Sequence, residues 1–176
     1  MIDKEKCIRC GKCIHSCPFG AIASKTFIVP VIEALKAGKH IYAMAAPATE
    51  GQFGVDITMA SWKKAMKEMG FTDFYDVGLG GDMTAAYEAE EWAEAYKEGN
   101  KKVTSCCPAF VNMVRLHYPE LAECVSTTVS PMCAVSRLIK AKDPEAITVF
   151  IGPCVAKKSE VADLSLIHIS EPTRPE

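Results

Sequence analysis

From residue 30 onward the apolar positions alternate between two periods. Residues 30–38 open on a proline and close on a glycine around an apolar middle, which predicts a short helix. Residues 40–46 are almost continuously apolar and stop at Pro47, as a buried strand does. Met59, Trp62, Met66 and Met69 recur at helical spacing, with Gly70 just past the end. Residues 73–79 read as a second strand, and Asp82 is placed to cap a helix over 83–98 that Gly99 ends. Residues 102–105 predict a third short strand leading into Cys106; helices follow Pro108 and Pro131, and residues 147–151 form a fourth strand. Strands alternating with helices predict an α/β fold, a mainly parallel sheet flanked by helices, with sites at the strand ends. Residues 1–24 break the rhythm, being rich in cysteine and too short to bury a core. The expected organisation is a small module over 1–28, an α/β domain over 29–163, and a tail over 164–176. That tail continues no pattern and resembles the translated product of a sequencing adapter or vector. It is therefore expected to be non-native or disordered, with the natural sequence stopping near Asp163.

Composition sharpens the picture. The chain has 176 residues, 49% of them hydrophobic, and a net charge of −2, which suits one ordinary domain plus a small module. No basic run favours nucleic acid or a membrane surface, no apolar run reaches spanning length, and residues 1–20 hold no secretory core. The expectation is a cytoplasmic protein. Nine cysteines are many for such a chain, and in a cytosolic protein clustered thiols point to metal or redox chemistry.

Four of them, Cys7, Cys10, Cys13 and Cys17 with Pro18, form C-x2-C-x2-C-x3-C-P, the signature of a ferredoxin-like [4Fe–4S] module. Cubane iron needs thiolates, and two-residue steps let one loop wrap three corners of a cluster. A structural zinc knot is the competing reading, but the even spacing and the Cys-Pro favour iron and sulfide. The fourth cysteine of this pattern usually serves a second cluster. Either Cys17 folds back to complete a single cluster, or the module is half of a two-cluster unit.

A second constellation comprises Thr104-Ser105-Cys106-Cys107-Pro108-Ala109-Phe110 and Gly152-Pro153-Cys154-Val155-Ala156-Lys157-Lys158-Ser159-Glu160. These segments resemble the first two active-site signatures of [FeFe]-hydrogenases, with Phe110 in place of a tryptophan and Gly152 in place of a methionine. The resemblance runs from the ferredoxin motif to about residue 163. It implies an H-cluster, a [4Fe–4S] cube bridged to a diiron unit carrying CO, cyanide and a dithiolate amine. It also implies that Cys107 and Cys154 are two of the four cube ligands, that Cys106 carries protons to the amine, and that Lys157 hydrogen-bonds a cyanide. By the same resemblance Ala46 and Pro47 belong to the pocket wall, and Ser126, Ser130 and Pro131 match a family segment. Glu88 and Glu91, three apart on one helix face, would relay protons with Ser126. The competing reading of these glutamates is a solvated acidic face, since Glu90, Glu94 and Glu98 lie on the same helix. Cys124 and Cys133 read as small buried residues, and the four histidines lack metal-ligand spacing.

The family's third signature, which carries the remaining cube ligands, does not occur, and no cysteine follows Cys154. The resemblance therefore implies a fragment of an iron-only hydrogenase, inactive alone, whose intact form interconverts protons, electrons and dihydrogen under anaerobic conditions. It implies a ferredoxin or other redox partner, and hydrogenase maturation proteins. The alternative is a non-enzymatic hydrogenase-like iron–sulfur protein for cluster assembly or redox sensing. Cys106 and Lys157 favour the enzyme lineage, because such relatives usually lose both. A plain electron carrier would leave Cys106, Cys107 and Cys154 unexplained.

Overall fold

The computed structural model describes residues 2–3, 5–161 and 166–169. Its elements in chain order are α1 (Lys12–His15), α2 (Ile28–Lys36), β1 (Ile41–Ala45), α3 (Met59–Glu68), β2 (Asp73–Asp76), α4 (Gly78–Lys97), α5 (Pro108–His117), α6 (Pro131–Lys142), β3 (Ile147–Ile151), α7 (Lys158–Val161) and β4 (Leu166–Ile169). Among the described residues the strands form one sheet in the order β2-β1-β3-β4, and every pairing is parallel. The α/β fold with a parallel sheet flanked by helices is thus as expected.

Side chains alternate across β1, so its two faces build two cores. On one face Ala43 and Ala45 pack with Val31 and Ala34 of α2, Met66 of α3, Phe74 and Val149. On the other, Met44 and Phe150 pack with Met132, Val135 and Ile139 of α6. Both faces are covered, which is why β1 and β3 read as nearly continuous apolar runs, with Thr148 the polar residue in β3. The order places β1 beside β3 although α3, β2, α4, α5 and α6 separate them in sequence. The chain leaves β1 toward one edge and β3 toward the other. The carboxyl ends of β1 and β3 therefore flank a topological switch point, where α/β sheets bind ligands.

Five local expectations are corrected. The helix expected over 30–38 begins at Ile28, with Pro30 in its first turn, where the missing N–H costs nothing. The strand at 73–79 stops at Asp76, because Asp76 Oδ1 accepts the Gly78 N–H at 2.8 Å and starts α4 there. Asp82 consequently lies inside the helix, exposed, and caps nothing. Residues 102–105 do not join the sheet; Val103 makes one isolated parallel bridge to Val125. Finally, β4 falls within the stretch set aside as a tail, and pairs with β3.

Close approach of α4 to α6 depends on one glycine. A β-carbon on Gly80 would lie 2.2 Å from the Pro131 carbonyl oxygen and 2.8 Å from Val135 Cγ2. Neighbouring Gly81 has nothing within 4 Å of such a carbon.

Candidate functional site

The Val103–Val125 bridge does the work expected of a strand end. Val103 N–H donates to the Cys124 carbonyl and Ser126 N–H to the Val103 carbonyl, both at 2.8 Å. This lays the 104–107 segment along residues 125–128, and the Ser105 hydroxyl donates to the Thr128 carbonyl. Thr104 Oγ1 donates to Cys106 Sγ at 3.1 Å and accepts the Cys106 N–H at 3.2 Å. Cys107 is the N-cap residue of α5, with Pro108 at the first helical position. Cys106, Cys107 and Cys154 are all exposed free thiols.

At the switch point, Ala46 N–H donates to the Ile151 carbonyl at 2.9 Å, carrying the β1–β3 pairing one residue further. Ala46 thus stands beside Gly152, at the strand end that leads into Pro47 on one side and into Pro153 and Cys154 on the other. A β-carbon on Gly152 would meet the Phe150 ring at 2.9 and 3.0 Å and the Ala46 methyl at 3.1 Å. Phe150 and Ala46 therefore fill the space that a larger residue at 152 would need.

Lys157 joins the two motifs. Its ammonium donates to the Cys106 carbonyl at 2.8 Å and to Glu160 Oε2 at 3.0 Å. These contacts use two of its three donors. Ser130 Oγ lies 3.1 Å from the same Glu160 oxygen and 3.3 Å from Cys133 Sγ. Its single proton serves only one of them, and the carboxylate is the stronger acceptor. Ser130 also caps α6, followed by Pro131 at the first helical position. Cys133 is buried, and burial pushes its thiol up; Cys124 is only half-buried.

Glu91 and Ser126 meet as the sequence suggested. Ser126 Oγ donates to Glu91 Oε2 at 2.6 Å. Thr127 N–H and Lys102 Nζ both reach Glu91 Oε1 at 3.1 Å. Burial alone would raise the Glu91 carboxyl, but the Ser126 and Thr127 hydrogen bonds and the Lys102 ammonium outweigh it and lower it to about 2. Glu88 reaches the segment one residue short of the thiol: its Oε1 accepts the Ser105 N–H at 3.3 Å. A cleft of about 820 Å³ runs past Ser105, Ser126, Ser130, Cys133 and Glu160 to Cys7 of the N-terminal loop. Lys102 and Thr127 were absent from the sequence-derived site, and nothing in local spacing marks them; Thr104 was visible only as the first letter of its motif. Glu160 was visible only as the last letter of its motif.

A pH dependence follows from Glu91. Its folded value of about 2 lies below the ordinary 4.5, so its stabilising contribution is complete above pH 4.5 and is lost as the pH falls toward 2. Glu91→Gln is expected to lower the melting temperature near neutrality, and the gap to the parent chain should close on acidification through that window. Melting curves from pH 7 to 2 check this; a gap independent of pH would remove the charged role.

The N-terminal loop has the donor chemistry of a cluster site. Cys7, Cys10, Cys13 and Cys17 are free and at least partly exposed. The Arg9 N–H donates to Cys7 Sγ at 3.4 Å, and backbone N–H groups of Phe19 and Ala21 hold the Cys17 thiol below its usual range. Amide donors aimed at sulfur favour thiolate, the form that binds iron. Among the described residues no three His, Cys, Asp or Glu side chains are already gathered for a metal ion. The thiols thus fit an iron–sulfur group by donor type and spacing.

A cysteine loop of ferredoxin type, set against a parallel α/β lobe with thiols beyond its strands, defines an iron–sulfur redox protein. Family models sharpen this: the iron-only hydrogenase large subunit, C-terminal domain, matches residues 39–170, and a 4Fe-4S binding domain matches residues 1–23. The chain belongs to the iron-only hydrogenase large-subunit family. It is 32% identical over 221 residues to iron hydrogenase 1 of Clostridium pasteurianum, covering 90% of this chain and 38% of that protein. It is 34% identical over 211 residues to the periplasmic [Fe] hydrogenase large subunit of Nitratidesulfovibrio vulgaris, covering 90% and 50%. It is 28% identical over 180 residues to the NADP-reducing hydrogenase subunit HndD of Solidesulfovibrio fructosivorans, covering 89% and 31%. The chain therefore spans 31–50% of these relatives' lengths.

Proposed function

We propose that this chain supplies the ferredoxin-type module and part of the H-cluster lobe of an enzyme that interconverts protons, electrons and dihydrogen. The single observation that carries this reading is the 2.8 Å hydrogen bond from Lys157 Nζ to the Cys106 carbonyl. It ties together two motifs 51 residues apart, one carrying Cys107 and the other Cys154. The H-cluster, when bound, would supply the metal and basic amine at which the H–H bond is made and broken. Cys107 and Cys154 would each give a thiolate to the cube, and Cys7, Cys10, Cys13 and Cys17 the thiolates of the module's cluster. Ala46, Pro47, Ser130 and Pro131 would line the pocket.

Lys157, held by Glu160, is set to offer an N–H to a cyanide. Cys106, braced by Thr104, holds or releases a proton at Sγ. The onward path runs by Glu88 on the neighbouring Ser105 amide to the Ser126 hydroxyl and Glu91. A carboxyl at about 2 is a poor match to proton exchange near neutrality. Glu91 therefore acts as a fixed anion that polarises the Ser126 O–H. The electron partner would be ferredoxin or another one-electron carrier, cluster insertion would need maturation proteins, and the thiol chemistry suits a reducing cytoplasm. Among the described residues no helix is long and apolar enough to cross a membrane.

The test is anaerobic reconstitution of the chain with iron and sulfide, followed by EPR after reduction. A [4Fe–4S] spectrum that Cys10→Ala abolishes is expected. A colourless protein holding one tetrahedral zinc would overturn the redox reading.

A further inference from the structure

A second cavity, of about 610 Å³, lies between the cysteine loop and the far end of α5. Cys7, Cys10 and Cys13 line it from the loop, and Met113, His117 and Tyr118 line it from the helix. Met113 and His117 are four residues apart, so they stack on one helix face. The loop is fixed against that helix. Asn112 Nδ2 donates to the Ile8 carbonyl at 3.4 Å, in the step between Cys7 and Cys10. Gly11 takes φ +79°, and a β-carbon on it would collide with Val155 Cγ2. Only glycine both tolerates this φ and leaves room for the valine methyl. Lys6 also borders the cavity, but its ammonium stands 3.9 Å from Asp3 on a side chain that is 82% exposed. His15 belongs to the loop, yet it does not line the cavity.

We propose that His117 donates a hydrogen bond to a sulfur of the cluster held by Cys7, Cys10 and Cys13, and that Met113 closes the same wall against water. This inference rests on the reading of the loop as a [4Fe–4S] site. It asks nothing of Cys107 or Cys154. An imidazole carries an N–H in either protonation state, whereas the Met113 thioether carries no donor. The loop already aims one amide at sulfur, the Arg9 N–H at Cys7 Sγ, and His117 adds a donor from outside the loop. That donor stands on a helix begun by Pro108, and a site built on a helix is held more closely than one on a loop. Reduction adds negative charge to the cluster. A donor on sulfur stabilises the reduced form more than the oxidised one, and so raises the reduction potential. The far end of α5 thereby sets how readily the module takes an electron.

The test uses the whole chain, reconstituted anaerobically with iron and sulfide. It is titrated reductively with low-potential dyes while the EPR signal of the reduced cluster is read. His117→Phe keeps the bulk of the ring and removes the donor. At the parent midpoint its ratio of reduced to oxidised cluster is expected to fall about tenfold, a downward shift of about 59 mV for one electron, within the range of one net hydrogen bond. His117→Gln retains an N–H at similar reach and should recover part of the shift. Equal potentials in His117→Phe and the parent chain would overturn the proposal. A second measurement does not depend on the potential. With ¹⁵N-labelled histidine, pulsed EPR of the reduced cluster should show a weak nitrogen coupling that His117→Phe removes and His15→Phe leaves. No coupling, or one as strong as that of an iron-bound nitrogen, would equally sink the donor role. Cluster content separates the two readings. A parent chain without a [4Fe–4S] spectrum removes the cluster site and the role of His117 with it. A parent spectrum whose potential ignores His117 removes that role alone.

Discussion

Cys106→Ala and Cys107→Ala are expected to fail in opposite ways, although the residues are adjacent. In a polypeptide carrying all four cube ligands and matured with the diiron unit, Cys107→Ala should lose cube iron. Its thiolate is a ligand, and an open corner destabilises the cluster. Cys106→Ala should keep the cube spectrum while hydrogen turnover falls by about 10²–10⁴-fold, the usual worth of a positioned acid–base group. The geometry assigns the split. Cys107 begins α5 beside its proline, a rigid position suited to a ligand. Cys106 Sγ accepts from Thr104 Oγ1 at 3.1 Å, which holds a protonatable thiol without committing it to metal. Cys106→Asp should recover part of the rate, because a carboxylate of similar reach also relays protons. Iron content and turnover measured on the same preparations decide the matter, and near-parent turnover in Cys106→Ala would remove the relay role.

The second large effect concerns a glycine that touches no cofactor. Gly80→Ala should destabilise the chain by about 2–3 kcal/mol, the upper range for overpacking, because the new carbon meets a backbone carbonyl at 2.2 Å. The Pro131 carbonyl cannot rotate aside as a side chain would, so α4 and α6 must separate. Gly81→Ala, one residue on, should instead stabilise by up to about 1 kcal/mol, since open space surrounds it and alanine favours a helix. Paired melting curves read the contrast. Similar shifts for both variants would mean that α4 and α6 are not in close contact. The result also bears on the site, because α4 carries Glu88 and Glu91 while α6 begins at Ser130 and Pro131.

Local patterns were legible where cause and effect lie within a few residues. The cysteine spacing of residues 7–17, the proline starts of α5 and α6, and the period of α3 needed no tertiary information. The misread boundaries had local competitors. Asp76, two residues before Gly78, accepts the Gly78 N–H and so starts α4 four residues ahead of Asp82. Val103 makes a lone bridge because its partner, Val125, belongs to a segment outside the sheet.

The chain's own sequence determined its α/β class, its iron–sulfur donor set and the spacing of the thiols, since each depends on side-chain chemistry and short-range periodicity. Only the tertiary structure decided that β1 and β3 lie side by side, bringing Ala46 next to Gly152. It likewise decided that Lys102 and Ser126 converge on Glu91 across 11 and 35 residues, and that Val155 fills the notch at Gly11. Such contacts depend on which faces are buried against which, and that choice is made by packing the whole chain rather than by any single segment.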